Sequence, residues 1–338
     1  MPQLTADSVL PKAFRLFIAA LIALSLSELL GFHNTYWAAM PVFVIAQPVR
    51  EDMLIRGLLR VAGTIAGAAI GILTLLYLHN PLSIGLAVGA TVAIGTGIAY
   101  RIGTTYSYGF TLMAFSCGVI VMPSLGLGAD GVTLALERLW STLIGVASIT
   151  LVSWYFTPSR NGPVPPRPVP HSTRQMLMRM AFVGGLCTLT TTATGLAPHF
   201  AVMSAGLATS VFCAVIGSMN DPRPIIRWLV PGVFMGVCAA ILYRFIISQF
   251  GLDHTQNYIL AIIFIAIGSL IRAHPKTAAP GLDINMCFLL AGEAGAVGHS
   301  FELTAYGACG LIAGNLLVAG VLHLIASLRD REGKSALS

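Results

Sequence analysis

The run LIRGLLRVAGTIAGAAIGILTLLYL, residues 54–78, decides the fold class of this chain. Its only charged side chains are Arg56 and Arg60, near the first end, and the eighteen residues from 61 to 78 carry no charge. The hydrocarbon core of a bilayer is about 30 Å thick and is crossed by about 20 helical residues. The run therefore predicts a helix that spans a membrane.

The whole chain shares this composition. Of its 338 residues, 19 are Lys or Arg and 13 are Asp or Glu, so charged residues make up 9% of the sequence, whereas soluble domains carry about 25%. Hydrophobic residues make up 56%, and the mean hydropathy is +0.82. These values exclude a soluble enzyme, a disordered chain and a nucleic-acid partner. We expect an all-α integral membrane protein that lies among membrane lipids.

Apolar runs between polar breaks predict about twelve transmembrane helices. The run at 35–47 is shorter than a full crossing, and we expect it to extend or tilt. The first run follows Lys12 and Arg15 and is interpreted as a retained span rather than a signal peptide. The runs cover residues 14–30, 35–47, 54–78, 82–100, 106–123, 131–156, 175–196, 200–218, 225–249, 257–271, 279–296 and 303–328.

The distribution of basic residues predicts the orientation of these helices. With the N-terminus in the cytoplasm, 17 of the 19 basic residues fall on cytoplasmic helix ends and loops, and the two exceptions, Arg138 and Arg244, lie within spans. Short loops rich in Lys and Arg stay on the cytoplasmic side, so we expect both termini in the cytoplasm. Five of the eight histidines then fall on outer loops, where we expect exposed side chains: His33, His79, His199, His254 and His299.

The chain divides into two similar halves. The segment LIRGLL at 54–59 matches IIRWLV at 225–230 with an offset of 171, and Arg101 matches Arg272 with the same offset. We therefore predict a duplicated six-helix unit. Its parts are a first membrane repeat at 1–156, a proline-rich cytoplasmic linker at 157–173, a second membrane repeat at 174–328 and a short basic cytoplasmic tail at 329–338.

An even number of spans gives both repeats the same orientation, as in parallel-repeat transporters, whose binding sites lie between the halves. Glycines spaced by four residues also recur on single helix faces, which predicts close helix packing rather than contact with a ligand. These glycines are Gly63, Gly67 and Gly71, then Gly85 and Gly89, and then Gly232 and Gly236.

The segments YWAAMPVF at 36–43, QP at 47–48 and RVAGT at 60–64 resemble the fusaric acid resistance family, which includes aromatic carboxylic acid efflux proteins. Asp221-Pro222 and the following Arg227 resemble its second membrane block. The resemblance implies a bacterial inner-membrane exporter of organic anions that works with a periplasmic adaptor and an outer-membrane channel. Longer relatives carry cytoplasmic domains where this sequence has its linker and tail.

Ionisable groups inside spans are costly and mark candidate functional sites. The carboxylates inside spans are Glu28, Glu137, Asp283 and Glu293. We select Glu137, Glu293 and Asp283 as candidates for proton coupling, because a carboxyl group in a buried site can take up and release a proton near neutral pH. The alternative interpretation is a structural ion pair, for which Arg138 and Arg244 are suitable partners.

Arginines at the inner helix ends are candidate substrate-binding residues, because a guanidinium matches a carboxylate through two parallel hydrogen bonds. The first choice is Arg60, which lies a full turn beyond Arg56. The competing interpretation is that these arginines anchor helices and reach lipid phosphates. Trp37 and Tyr106 either stack on an aromatic acid or belong to the aromatic belt at the membrane interface. The full set of candidates is Arg60, Arg56, Arg101, Arg272, Trp37 and Tyr106.

These features predict a proton-coupled efflux transporter for organic anions, most simply aromatic carboxylates, that needs no cofactor and no metal. The chain has no phosphate-binding GxxxxGK[ST] loop and neither an HExxH nor a GxSxG motif, so we expect a non-enzymatic protein. Three alternatives stay open. They are a passive anion channel, a major-facilitator-type carrier, and a non-transporting component that scaffolds membrane partners.

Overall fold

The structure is a computed structural model that describes residues 9–47, 50–154, 157, 172–219 and 222–335. These residues form twelve α-helices, and the described ranges contain no strand. The helices are α1 Val9–Leu29, α2 Tyr36–Ile45, α3 Arg50–Tyr77, α4 Pro81–Ile102, α5 Ser107–Leu127, α6 Gly131–Trp154, α7 Thr173–Leu196, α8 Phe200–Gly217, α9 Arg223–Phe250, α10 His254–Ala273, α11 Ala278–Gly292 and α12 Phe301–Ser335. The predicted all-helical fold is confirmed.

Ten of these helices are long and apolar enough to cross a membrane. The prediction of about twelve crossings is therefore corrected for α2 and α11, which have 10 and 15 residues. At about 1.5 Å per residue they reach only about 15 Å and about 22 Å, well short of the hydrocarbon core. Hydropathy placed these two segments correctly, but their flanking residues form turns instead of further helical turns.

Helix ends follow local sequence signals. The side chain of Asn80 accepts a hydrogen bond from the Leu82 backbone N–H at 2.8 Å, and Pro81 occupies the first position of α4. Asp253 and Gln256 form a reciprocal capping box at the start of α10. Such caps satisfy backbone N–H groups that lack partners in the first helical turn. They mark where α4 and α10 begin.

The chain forms two compact units, which are described separately. Unit 1 comprises the described residues within Met1–Leu58, Leu136–Gly162 and Pro231–Ala308, and unit 2 comprises those within Leu59–Ala135, Pro163–Val230 and Cys309–Ser338. Unit 1 thus contains the complete helices α1, α2, α10 and α11, and unit 2 contains α4, α5, α7 and α8. The other four helices contribute residues to both units. Each unit therefore takes helices from both halves of the sequence.

In both units, helices from the first half of the sequence pack on helices from the second half. In unit 1, α1 packs on α10 and α2 packs on α11; in unit 2, α7 packs on α4 and α8 packs on α5. The predicted glycine faces lie at helix contacts. A Cβ at Gly67 would come within 2.7 Å of the Ser116 Cβ on α5, and a Cβ at Gly236 would come within 2.9 Å of the Cys287 Cβ on α11.

Parts of the sequence prediction lie outside the described residues. The linker at 157–173 does so except for Thr157, Ser172 and Thr173, and so does Asp221 of the second family-like segment. Helix α12 continues to Ser335, so part of the predicted basic tail extends the last helix. The boundaries of the two sequence repeats stay a prediction.

Candidate functional site

Three acids at one end of unit 1 are each paired with a histidine. We call this region, formed by residues 28–37, 137–138, 243–258 and 293–299, the histidine end. The pairs are Glu28 with His254 at 3.3 Å, Glu137 with His33 at 3.2 Å and Glu293 with His299 at 2.7 Å. In each pair the histidine side chain is more exposed than the carboxylate, and His33 is 90% exposed while Glu137 is 11% exposed. In each pair the ring is therefore the more accessible partner.

Glu293 has the most hydrogen bonds of the three acids. Its carboxylate accepts from Arg244 Nη2 at 3.3 Å, contacts His299 Nδ1 at 2.7 Å and accepts from the His299 backbone N–H at 2.6 Å. Arg244, whose side chain is 4% exposed, also donates to the Val297 carbonyl oxygen at 2.9 Å. The acid thus joins a buried, permanently charged cation to a ring that can be protonated. The sequence offered Arg244 as a partner for an acid within a span, and the structure pairs it with Glu293.

The backbone at Glu293 is unusual. It follows the last residue of α11 with φ 46°, and it is the only non-glycine residue of the described chain with positive φ. A left-handed conformation costs a residue with a side chain about 1–2 kcal/mol. The segment then turns back through Gly295 and Gly298, both with positive φ, and a Cβ at Gly298 would collide with the Arg244 guanidinium. The loop 293–300 is therefore closed tightly around the Arg244–Glu293 pair.

The charged groups around His299 shift its pKa. The hydrogen bond that the Glu293 carboxylate accepts from the His299 ring raises the pKa of His299 above its ordinary value, although burial and Arg244 act in the opposite direction. An acceptor that is negatively charged stabilises the imidazolium form. His299 is consequently more often protonated at a given pH than a free histidine.

Glu137 is bonded to a neutral amide at the same end, in addition to His33. Asn34 donates from Nδ2 to Glu137 Oε2 at 2.5 Å, and Tyr36 in turn donates to Asn34 Oδ1 at 3.0 Å. Both oxygens of this carboxylate thus have partners from the segment that connects α1 to α2. The acid on α6 is therefore tied to a different part of the chain through side-chain hydrogen bonds.

Arg138 and Trp37 complete the histidine end. The Arg138 guanidinium carbon lies 4.9 Å from the centre of the Trp37 ring, a cation–π distance. Tyr36 contacts Trp37 edge to face. Trp37 is buried, and its Nε1 has no hydrogen-bond partner. These contacts bring Trp37, a predicted substrate residue, to the same end as Glu137 and Glu293, two of the three predicted proton-coupling acids.

Asp283, the third predicted acid, lies near Arg272 elsewhere in unit 1. It interacts electrostatically with Arg272, which donates from Nη1 to the Ala278 carbonyl oxygen at 2.7 Å and from Nε to the Phe43 carbonyl oxygen at 3.4 Å. Lys12 is also repelled electrostatically by Arg272. Arg272 is thus largely occupied by backbone carbonyls, which favours a structural role over direct substrate contact.

Arg60, the first choice for substrate binding, is buried in unit 2 with 2% exposure. Its Nη1 donates to the Tyr108 hydroxyl at 2.7 Å, and its Nε has no hydrogen-bond partner. No carboxylate of the described residues pairs with it. A buried guanidinium without a counter-ion is costly, so this site would gain from a bound anion.

The remaining predicted substrate residues are more dispersed. Arg101 is exposed and donates to Thr173 Oγ1 at 3.3 Å. Tyr106 is 60% exposed and directly precedes α5. Arg56 belongs to the part of α3 that lies in unit 1. These positions fit helix ends at a membrane surface. Substrate binding by the arginines at the inner helix ends stays a prediction.

Sequence reasoning missed the role of the histidines and of Tyr108. Residues 33 and 137 are 104 positions apart, so no local pattern links them. A compositional signal did exist: the predicted outer loops lack Lys and Arg, which leaves histidine as the titratable cation near the outer acids. Within the described ranges, no three His, Cys, Asp or Glu side chains are arranged to hold a metal ion.

The class of protein follows from the helices and their surfaces. Ten apolar helices are long enough to cross a membrane, and large aliphatic side chains are exposed along them, including Leu58, Leu151 and Leu196, each more than 70% exposed. Exposed apolar surface on this scale suits contact with lipid rather than water. The chain is a multi-pass α-helical membrane protein with buried ionisable groups.

Comparison with known proteins agrees with the family resemblance seen in the sequence. Residues 12–167, just under half of the chain, match the family model FUSC, the fusaric acid resistance protein family, and this match confirms the resemblance. The chain is also 26% identical over 144 residues to the inner membrane protein YccS of Escherichia coli K12. That alignment covers 42% of this chain and 19% of YccS, so the chain matches less than a fifth of that relative. No solved structure matches.

Proposed function

We propose that this protein is an inner-membrane efflux transporter for organic anions, most simply aromatic carboxylates, and that it is driven by protons. The observation that carries the proposal is the histidine end, where each of three acids is paired with a histidine that is more exposed than the acid. Paired acids and histidines near the membrane surface are suited to passing protons, because the charge state of histidine changes in the range between pH 5 and 8.

Glu293 is the proposed coupling acid. While it is ionised, its carboxylate neutralises the buried Arg244 and holds the loop 293–300 closed. Protonation from the outer solution through His299 would remove that negative charge. The Arg244 guanidinium would then lack its counter-ion in a site with little water, which favours opening of the loop. The left-handed backbone at Glu293 adds strain that opening would release.

Arg60 is the proposed binding group for the substrate carboxylate. It is buried, bonded to a neutral hydroxyl and without an acidic partner in the described chain. A carboxylate accepts charge-assisted hydrogen bonds from a guanidinium, and these are roughly twice as strong as neutral ones. Tyr108 holds the guanidinium in one orientation, which would lower the entropy lost when the anion binds.

The helix neighbours support a duplicated architecture for this transporter. Under the sequence offset, α1, α2, α4 and α5 correspond to α7, α8, α10 and α11. The pairs α1 with α10 and α2 with α11 in unit 1 then have the same partners as α7 with α4 and α8 with α5 in unit 2. We propose two parallel repeats that exchange helices, with both termini in the cytoplasm and with an adaptor and an outer-membrane channel as partners.

The test uses the purified chain in liposomes loaded with labelled 4-hydroxybenzoate, with protein-free liposomes as the baseline. An inward proton gradient should accelerate loss of the label. Glu293→Gln should abolish the acceleration, whereas Glu302→Gln, an exposed glutamate at the start of α12, should retain it. If the unmodified protein releases the label at the same rate with and without the proton gradient, a passive channel is favoured. If release does not exceed that of protein-free liposomes, a non-transporting scaffold is favoured.

A further inference from the structure

An open groove lies on unit 2 where the last turns of α4 meet the first turns of α7. Its volume is about 290 Å³, and its wall consists mainly of Ile94, Ile98, Met176 and Met180. Ile94 and Ile98 are 48% and 37% exposed. Because both helices are candidate spans, these side chains face the hydrocarbon of the membrane rather than water.

Arg101 is the charged group of this groove. It lies in the last turn of α4, it is exposed, and the hydrogen bond that it makes is to Thr173 Oγ1 at 3.3 Å. No acid of the described chain pairs with it. Most of its five N–H donors are therefore available to an anion from outside the protein.

The start of α7 adds to this preference for an anion. Ser172 precedes the helix without capping it through its side chain, and the first turn contains no acidic residue. The backbone N–H groups of a first helical turn lack intrahelical partners and carry a partial positive charge. Arg101 and this helix start thus lie side by side at the polar end of an apolar groove.

Met180 packs against a glycine, Gly97, in the lining of the groove. A Cβ at Gly97 would come within 2.5 Å of the Met180 sulfur, so glycine lets α4 and α7 approach here while Met180 lies across it. Methionine side chains adapt to the shape of what they contact. The wall is therefore suited to a flexible aliphatic chain more than to a rigid ring.

We propose that one glycerophospholipid binds in this groove, with an acyl chain along Ile94, Ile98 and Met180 and its phosphate on Arg101. A membrane supplies this ligand at high concentration, and the position of Arg101 at the end of a span matches the depth of the phosphates. The proposal assigns Arg101 to a lipid instead of a transported anion. It depends on the membrane-embedded fold and not on the proposed transport activity.

The test is native mass spectrometry of the full chain released from nanodiscs that contain phosphatidylglycerol. We expect one retained lipid per chain. Arg101→Gln should lower its retention about fivefold, since one cation near a membrane surface contributes about that factor. Ile98→Trp should lower it by filling the groove. Leu86→Trp, at an exposed position of the same helix outside the groove, should leave it unchanged.

Equal retention in the unmodified protein, Arg101→Gln and Ile98→Trp would overturn the proposal. Displacement of the lipid by millimolar 4-hydroxybenzoate would also overturn it, because the groove would then be a site for the organic acid. Melting temperatures of the variants, measured in the same detergent, identify any variant that fails to fold. In that case Arg101→Lys, which keeps the charge, should retain more lipid than the neutral Arg101→Met.

Discussion

Arg244 Nη2 lies 3.3 Å from Glu293 Oε2, and the pair is enclosed by the loop 293–300. We expect Glu293→Gln to lower the free energy of unfolding by about 2 kcal/mol, because the substitution leaves the buried guanidinium without a counter-ion. Arg244→Met should have a similar cost.

Thermal unfolding of the two single variants and the double variant in detergent measures this coupling. The double variant should be more stable than the sum of the two losses predicts. Glu302→Gln serves as the matched control and should stay within about 0.5 kcal/mol of the unmodified protein. Strictly additive losses would show that the ion pair is not coupled.

His299 predicts a pH dependence of stability. Since Glu293 raises the pKa of His299 in the folded protein, the folded state binds this proton more tightly than the unfolded state does. The stabilisation is complete below the ordinary histidine pKa of about 6.5 and is lost as pH rises through the raised value. Melting temperatures measured upward from mildly acidic to mildly alkaline pH should therefore fall, and His299→Gln should make the fall smaller.

His79→Gln is the control for this measurement, because His79 is an exposed loop histidine with no acid partner among the described residues. It should reproduce the pH profile of the unmodified protein. An identical profile for all three proteins would exclude His299 as the titrating group.

The contact of α4 with α7 predicts opposite effects of two glycine substitutions. A Cβ at Gly89 would collide with Thr188 and come within 2.5 Å of the Gly184 carbonyl oxygen, so Gly89→Ala should destabilise the protein by about 1–3 kcal/mol. Gly185 has no heavy atom within 4 Å of the corresponding position. Gly185→Ala should be neutral or stabilising by up to about 1 kcal/mol. The melting temperatures of the two variants provide the test, and equal destabilisation by both would contradict this packing.

Arg60 predicts a selective loss of anion affinity. Arg60→Gln should raise the Michaelis constant for 4-hydroxybenzoate transport about tenfold, since it removes a charge-assisted contact of roughly 1.5–3 kcal/mol. Tyr108→Phe should have a smaller effect because the guanidinium keeps its charge. Lys276→Gln, at an exposed loop position, is the control for loss of one positive charge. An unchanged Michaelis constant in Arg60→Gln would remove Arg60 from the binding site.

The helices could be predicted from the sequence because hydropathy reports directly on the length of apolar segments. All twelve predicted runs contain a helix, and most ends agree within a few residues. The number of crossings was the exception, because α2 and α11 are helical where predicted but are too short to cross a membrane. The left-handed turn at Glu293 ends α11 before residue 296, and the tertiary contacts that hold this turn leave little trace in hydropathy.

The candidate site could be predicted only in part. Burial cost identified Glu137, Glu293 and Asp283 as unusual acids, and Arg244 was among the expected partners. Two of the histidine contacts, Glu28–His254 and Glu137–His33, could not be derived, because they join distant parts of the chain whose neighbours hydropathy does not specify. For example, Glu28 and His254 meet through the packing of α1 on α10.

Because each unit takes helices from both halves of the sequence, the helices of a unit become available in a fixed order during biosynthesis. Once Gly217 has been inserted, unit 2 has all four of its complete helices, whereas α1 and α2 still lack α10 and α11. At about 5–20 residues per second, translation of the chain between the end of α2 and the start of α10 delays these neighbours by on the order of 10–40 s. During that interval α1 and α2 must be sheltered by lipid or by the insertion machinery. The period before α10 and α11 arrive is therefore the stage of assembly most exposed to quality control.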